Sequence, residues 1–115
     1  MPLAMKTREA GGVTILDLNG KIVLGEETSS LREQIKQLLA ANETQMVLNM
    51  ENVSYIDSAG VGTLVAAFTS VKAQGGQLKM ANLTTKFRET LQVTRLLTVF
   101  ETYDSEADAL ASFKG

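Results

Sequence analysis

Apolar and polar positions alternate with a period of about two in the first segments of the chain, then with a helical period in several later ones. Met5 to Ala10 is weakly patterned, and Val13 to Asn19 reads V-T-I-L-D-L-N, alternating and rich in β-branched residues. Gly11-Gly12 between them is a two-residue hairpin signal, so the two segments predict an antiparallel pair. Gly20 to Gly25 (G-K-I-V-L-G) reads as a turn. Leu31, Ile35, Leu38 and Leu39 then recur at i, i+4, i+7 and i+8, one face of a helix. Thr28, Ser29 and Ser30 mark its start region and Asn42 its stop.

Met46 to Met50 is too short and apolar for anything but a buried strand. Glu51 to Asp57 reads as a polar connection carrying Val53, Tyr55 and Ile56. A second helical face follows from about Ser58 through Val61, Leu64, Val65, Phe68 and Val71, ended by Gly75-Gly76. Leu78 to Ala81 predicts a strand. Thr84 or Thr85 predicts the cap of a third helix with Phe87 and Leu91 inward and Arg88 and Glu89 outward. Leu97 to Phe100 is the candidate last strand. Ser105 to Asp108 has the spacing of a capping box, with Ala107, Leu110 and Phe113 on the helical face behind it. Strands separated by helices need crossovers, and crossovers make parallel pairs. The expected fold is therefore α/β. It has a small mixed sheet, an N-terminal antiparallel hairpin plus parallel strands, packed with about four α-helices. No composition shift divides the chain, so residues 1–115 read as a single domain with its core at about 5–113.

Composition narrows the chemistry. Apolar residues are 44% and charged residues 21% of the 115, a balance that supports a packed core. With no cysteine there is no disulfide framework, thiolate metal site or cysteine nucleophile, which fits a reducing cytoplasm. With no histidine the commonest general base and the Ser-His-Asp triad are absent too. Enzymatic activity and cofactors are accordingly not expected. The net charge of -2 comes from mixed signs without a basic stripe, which argues against direct nucleic-acid binding. Met1 to Arg8 lacks the features of a secretory signal, and no apolar stretch approaches the ~20 residues of a spanning helix, so no membrane partner is expected. A soluble, cytoplasmic monomer is the default.

The stretch Asp57-Ser58-Ala59-Gly60-Val61-Gly62 stands out because it joins a strand to a strong helix. Sites in open α/β sheets form in such loops, outside the carboxyl ends of strands. Ser58 at the start of a helix would have an exposed hydroxyl beside backbone N–H groups that lack intrahelical partners. A phosphate there would bring about -1.5 to -2 of charge, tolerated by the helix dipole but not by an acidic or apolar partner. Gly60 and Gly62 would let a second surface approach the backbone closely. Asp and Ser are also ordinary N-cap residues, worth ~1 kcal/mol to a helix, and the chemistry of the motif alone favours that plain reading. The segment is no dinucleotide fingerprint, since Gly60-Val61-Gly62 lacks the third glycine, and no P-loop, since no Gly-Lys-Ser/Thr follows. Met46, Met50 and Met80 read as core filler.

At this junction the sequence resembles the STAS domains, in particular the bacterial anti-sigma factor antagonists, over about Met5 to Phe113. V-S-Y-I-D-S-A-G-V-G (Val53 to Gly62) is similar to the family's Asp-Ser-small-Gly-aliphatic-Gly motif. Leu18 to Ile22, Gly75 to Lys79 and Leu96 to Ala109 are similar to its flanking segments. The resemblance implies a mixed sheet covered by helices, with Ser58 as the phosphorylated residue. It implies an anti-sigma factor serine/threonine kinase that binds the unphosphorylated form, releasing sigma, and a metal-dependent serine phosphatase that resets the switch. Asp57 would position the loop and contact the kinase. Asp57, Ser58, Ala59, Gly60, Val61 and Gly62 would form the partner-binding surface with Ile22, Val23 and Leu24. Two departures stand out. Ile22-Val23-Leu24-Gly25 occupies a region where many relatives carry an acidic residue, and Ala59 replaces a hydroxyl residue, which removes a second acceptor. Two other readings remain: a constitutive STAS interaction module in a signalling complex, with Ser58 unused, and a small enzyme or nucleotide-binding protein using the glycine-rich turn.

Overall fold

The computed structural model describes residues 3–113. Strand β1 (Ala4–Ala10) turns back on β2 (Val13–Ile22) in the antiparallel register Ala10↔Val13 to Ala4↔Asn19. The turn holds both glycines at positive φ, 57° and 84°, as a turn whose twist matches the strands requires. Helix α1 (Glu26–Ala40), β3 (Gln45–Ile56), α2 (Ser58–Ala73), β4 (Gln77–Ala81), α3 (Thr85–Val93), β5 (Glu101–Tyr103) and α4 (Glu106–Ala111) follow. The sheet order is β1-β2-β3-β4-β5, and every pair after the hairpin is parallel. Right-handed crossovers that advance always in one direction place their helices on one face. The main core lies there: Leu16, Leu18, Leu48, Met50 and Met80 of the sheet pack under Leu31 and Ile35 of α1, Leu64 and Val71 of α2, and Phe87 and Leu91 of α3. A smaller cluster on the other face, Val13, Ile15, Val47 and Ala81, is covered by α4 through Ala109. The expected mixed α/β sandwich with four helices is the observed architecture.

Several boundaries differ from the sequence reading, each for a physical reason. The stretch read as a turn from Gly20 is strand as far as Ile22, paired with β3 across two register irregularities. Glu51 to Ile56 is likewise no connection but the second half of β3. Its partner there is β2 alone, because β4 pairs only with Gln45 to Asn49. Val53 is still buried there as part of the main core, while the polar positions face solvent. Helix α1 begins at Glu26, ahead of the Thr28 to Ser30 region, and Thr28 is buried with its hydroxyl donating to the Gly25 carbonyl (3.1 Å). The last strand is Glu101–Tyr103 rather than Leu97 to Phe100. Leu96 to Val99 instead forms a turn, and Phe100 plugs the core edge-on against Phe68, ring centroids 5.7 Å apart. Behind the Ser105 cap, Leu110 and Phe113 pack inward as expected, but Ala109 is the buried residue of α4 and Ala107 is exposed.

Helix ends follow their local chemistry. Asn42 takes positive φ after α1, and Gly75 does so after α2. In both, the N–H of that residue and of the next donate back to the last helical carbonyls, Asn42 to Leu39 and Glu43 to Leu38, Gly75 to Lys72 and Gly76 to Val71. Thr84 caps α3 by accepting from the Phe87 N–H (3.2 Å), and Ser105 caps α4 by accepting from the Asp108 N–H (3.1 Å). Among the described residues no helix is long and apolar enough to cross a membrane.

Candidate functional site

The ends of β2 and β3 lie side by side, Ile22 opposite Ile56, and the chain leaves them in two adjacent loops. One is Val23–Leu24–Gly25, leading to α1, and the other is the single residue Asp57, leading to α2. Asp57 joins them. Its extended backbone (φ -95°, ψ -177°) makes it the N-cap of α2, and its Oδ1 accepts from the Gly60 N–H at 2.8 Å. Its Oδ2 accepts from the Leu24 N–H at 3.0 Å, and its own N–H donates to the Ile22 carbonyl at 3.3 Å. These donors hold the Asp57 carboxyl below the usual carboxylate range, the Leu24 N–H first and the Gly60 N–H second. The carboxylate is thus a clasp between a helix start and a neighbouring loop.

Gly60 makes the clasp possible. A Cβ at this position would stand 2.1 Å from the Ile22 carbonyl oxygen and 2.8 Å from Ile56 Cγ2. The close approach that its missing side chain permits is therefore to the chain's own β2 end. Gly62, two residues on, is exposed, and a Cβ there would meet nothing within 4 Å.

The nine residues singled out in the sequence come together in space but divide by depth. Ser58, Gly62 and Leu24 are exposed, and Leu24 strongly so at 77%. Asp57, Ala59 and Val23 are half-buried. Ile22, Gly60 and Val61 are buried and lie beneath the two loops. Because Asp57 performs the capping, Ser58 is the first helical residue and its hydroxyl is not consumed as a cap. The local result is an accessible hydroxyl at the positive end of a 16-residue helix, beside an apolar side chain, Leu24, projecting from the next loop. The sequence did not single out Tyr55, 46% exposed just before this junction, or Lys86, whose ammonium stands 5.9 Å from the centre of the Tyr55 ring. Nothing in the linear pattern ties a residue at the start of α3 to the end of β3.

The model of the STAS domain matches residues 4–109. Over 116 aligned residues the chain is 24% identical to an anti-sigma F factor antagonist of Paenibacillus polymyxa, covering 99% of this chain and 97% of that one. It is 35% identical over 71 residues to an anti-sigma-B factor antagonist of Bacillus subtilis, covering 62% of this chain and 64% of that one. The fold is shared with the anti-sigma factor antagonist SpoIIAA of Bacillus, solved in unphosphorylated and phosphorylated forms. TM-scores are 0.75 and 0.72, at 20% and 19% identity, covering 97% and 96% of this chain and 99% and 100% of those structures. With the family's model matching from β1 into α4, and with a sheet and helix order that its solved members share, the chain belongs to the STAS domain family.

Proposed function

We propose that this chain is an anti-sigma factor antagonist, a binding protein and not an enzyme, and that phosphorylation of Ser58 switches its binding off. In this reading the unphosphorylated chain docks on an anti-sigma factor that is also a serine/threonine kinase and so releases sigma. The phosphorylated chain lets go, and a serine phosphatase restores it. The observation that carries the proposal is the division of labour at the junction: Asp57 caps α2, which leaves the adjacent Ser58 exposed and free for other chemistry. The names of the relatives and the existence of a phosphorylated form of SpoIIAA support it.

The energetics favour a local switch. A phosphoryl group on Ser58 adds about -1.5 to -2 of charge beside the Asp57 carboxylate and the exposed Leu24. The open helix N-terminus offsets part of that charge within the protein itself. A partner that covers Leu24 would have to desolvate the same charge, which costs several kcal/mol if it stays unpaired. Binding then changes while the fold does not.

The test uses the purified chain with its cognate kinase and ATP. Wild type should gain one phosphoryl group by mass and Ser58→Ala none, with both melting alike. Ser58→Glu should weaken kinase binding at least tenfold, about 1.4 kcal/mol. Phosphorylation at another residue, or a Ser58→Glu protein that binds as tightly as wild type, would sink the switch. The second outcome would leave a constitutive interaction module.

A further inference from the structure

We propose that the cavity between the outer edge of β3 and helix α3 binds a small carboxylate with an aryl or compact apolar body. The cavity exists because β3 outruns its neighbour. Beyond Asn49 it has β2 on one side and no strand on the other. The chain leaves β4 through Asn82, at positive φ, and starts α3 opposite that unpaired edge. A space of about 170 Å³ remains between them. A wholly apolar engineered cavity of about 150 Å³ is large enough to admit benzene, so the space suits a single ring.

The lining is graded from an apolar floor to a polar rim. Met50, Val53 and Phe87 at the floor are buried. At the rim stand Ser54, Tyr55, Lys86 and two threonines, Thr84 and Thr90. Their hydrogen bonds decide the polarity of the ligand. The Ser54 hydroxyl donates to the Gly20 carbonyl (3.3 Å) and the Thr90 hydroxyl to the Lys86 carbonyl (3.1 Å), so both protons are committed within the protein. Thr84 Oγ1 accepts from the Phe87 N–H, which leaves its own proton free to donate. Lys86 contributes an ammonium held near the face of Tyr55, and among the described residues it pairs with no carboxylate. The rim's one charged group is thus the Lys86 ammonium, and the Thr84 and Tyr55 hydroxyls beside it each have a proton to donate, so the charge at the rim calls for an acceptor that is negative. An apolar floor with a few convergent polar groups is the usual composition of a small-molecule site. The site borders the proposed phosphoswitch through Tyr55 and Ile56 but does not depend on it.

Benzoate is the probe, with benzyl alcohol and benzylamine as neutral and cationic controls. Titrated into the ¹⁵N-labelled chain, benzoate should shift amides of Val53 to Ile56 and Thr84 to Thr90 in a saturable way. Benzyl alcohol should bind at least fivefold more weakly and benzylamine not at all. Lys86→Met, a change at an exposed position, should lower benzoate affinity at least fivefold and leave that of benzyl alcohol unchanged. A filling variant, Thr90→Phe, should abolish binding of both, with the ¹⁵N spectrum showing that the chain is still folded. The proposal fails if benzoate produces no saturable shifts, if the shifts fall elsewhere, if benzylamine binds as well as benzoate, or if Lys86→Met binds benzoate like wild type.

Discussion

At the scale of single residues, two glycines separated by one position do opposite things. Gly60 is packed so closely that a methyl group would fall 2.1 Å from a backbone oxygen, which cannot swing aside as a flexible side chain can. Gly60→Ala must push α2 away from the β2 end, and overpacking of this kind costs about 1–3 kcal/mol or more. Gly62 has open space and lies inside the helix, where Ala is preferred by roughly 0.5–1 kcal/mol. Urea melts should therefore show Gly60→Ala well below wild type and Gly62→Ala equal to it or slightly above. The pair also isolates a functional question. Gly62→Ala adds a methyl group to the exposed surface beside Ser58, so a loss of partner binding in this variant, with its fold intact, would mark that surface as the docking face.

Asp57 gives a second prediction at this scale. Its folded pKa lies below that of the unfolded chain because the Leu24 and Gly60 N–H groups favour the charged form. The stability it contributes is therefore fully present above the ordinary carboxylate range and is lost as pH falls through the folded value. Asp57→Asn should be less stable than wild type at neutral pH, and the difference should shrink on acidification towards pH ~3. Denaturation of both proteins across that range would show two curves converging in acid. Parallel curves would mean the carboxylate is not the clasp. The Leu24 amide should also lose protection from hydrogen exchange in the variant, since Asp57 Oδ2 is its acceptor.

At the scale of elements, α4 is the least deeply anchored layer, and a group of polar contacts fastens it. Arg8 of β1 pairs with Asp17 of β2 through Nε–Oδ2 at 2.6 Å and reaches Glu106 at the start of α4. At the other end Lys79, buried on β4, donates to the Ser112 hydroxyl at 2.7 Å and lies 4.4 Å from the centre of the Phe113 ring. The Arg8 pairs are partly open to water, where such bridges contribute only about 0–1 kcal/mol. Arg8→Ala should cost no more than that. It should raise the Asp17 pKa, which Arg8 holds low by hydrogen bonding, and speed amide exchange in α4 selectively. Carboxyl-detected NMR titration reads the first effect and exchange the second. High salt should mimic the substitution in wild type.

The elements also show what the linear pattern contains. The hairpin was legible because Gly11-Gly12 sits between alternating segments, and α1, α2 and α3 because Leu31, Leu64 and Phe87 recur with their partners at helical spacing. The second half of β3 was not, since Asn52, Ser54 and Tyr55 are polar or exposed and the strand is supported on one side only. Leu97 to Phe100 misled in the opposite way: an apolar run with β-branched residues was used to plug the core through Phe100 instead of extending a strand. At the junction, the residues singled out in the sequence lie together, but their depth was not legible. That Gly60 serves the Ile22 carbonyl depends on the register of β2 against β3 and on the entry of α2, which no local motif encodes.

At the scale of the whole molecule, the two apolar clusters occupy opposite faces of the same strands. Ile15 and Leu16 are adjacent on β2, as are Val47 and Leu48 on β3, yet each pair divides between the two clusters. Neither face can lose its strands without the other losing them too, so the layers should unfold together although one is covered by α4 alone. The Cα radius of gyration, 12.9 Å, matches the ~13 Å of a single compact unit of this length. The two tyrosines allow the coupling to be measured, because Tyr103 packs in the cluster under α4 and Tyr55 stands near the end of β3, beside the start of α3. In the absence of tryptophan, Tyr55→Phe leaves Tyr103 as the sole tyrosine reporter, and Tyr103→Phe leaves Tyr55. In each variant the urea midpoint followed by tyrosine fluorescence should coincide with that followed by far-UV circular dichroism, as one cooperative transition demands. If instead α4 detached first, the Tyr103 signal alone would move at lower urea, because the shared strands would then be failing to couple the two faces.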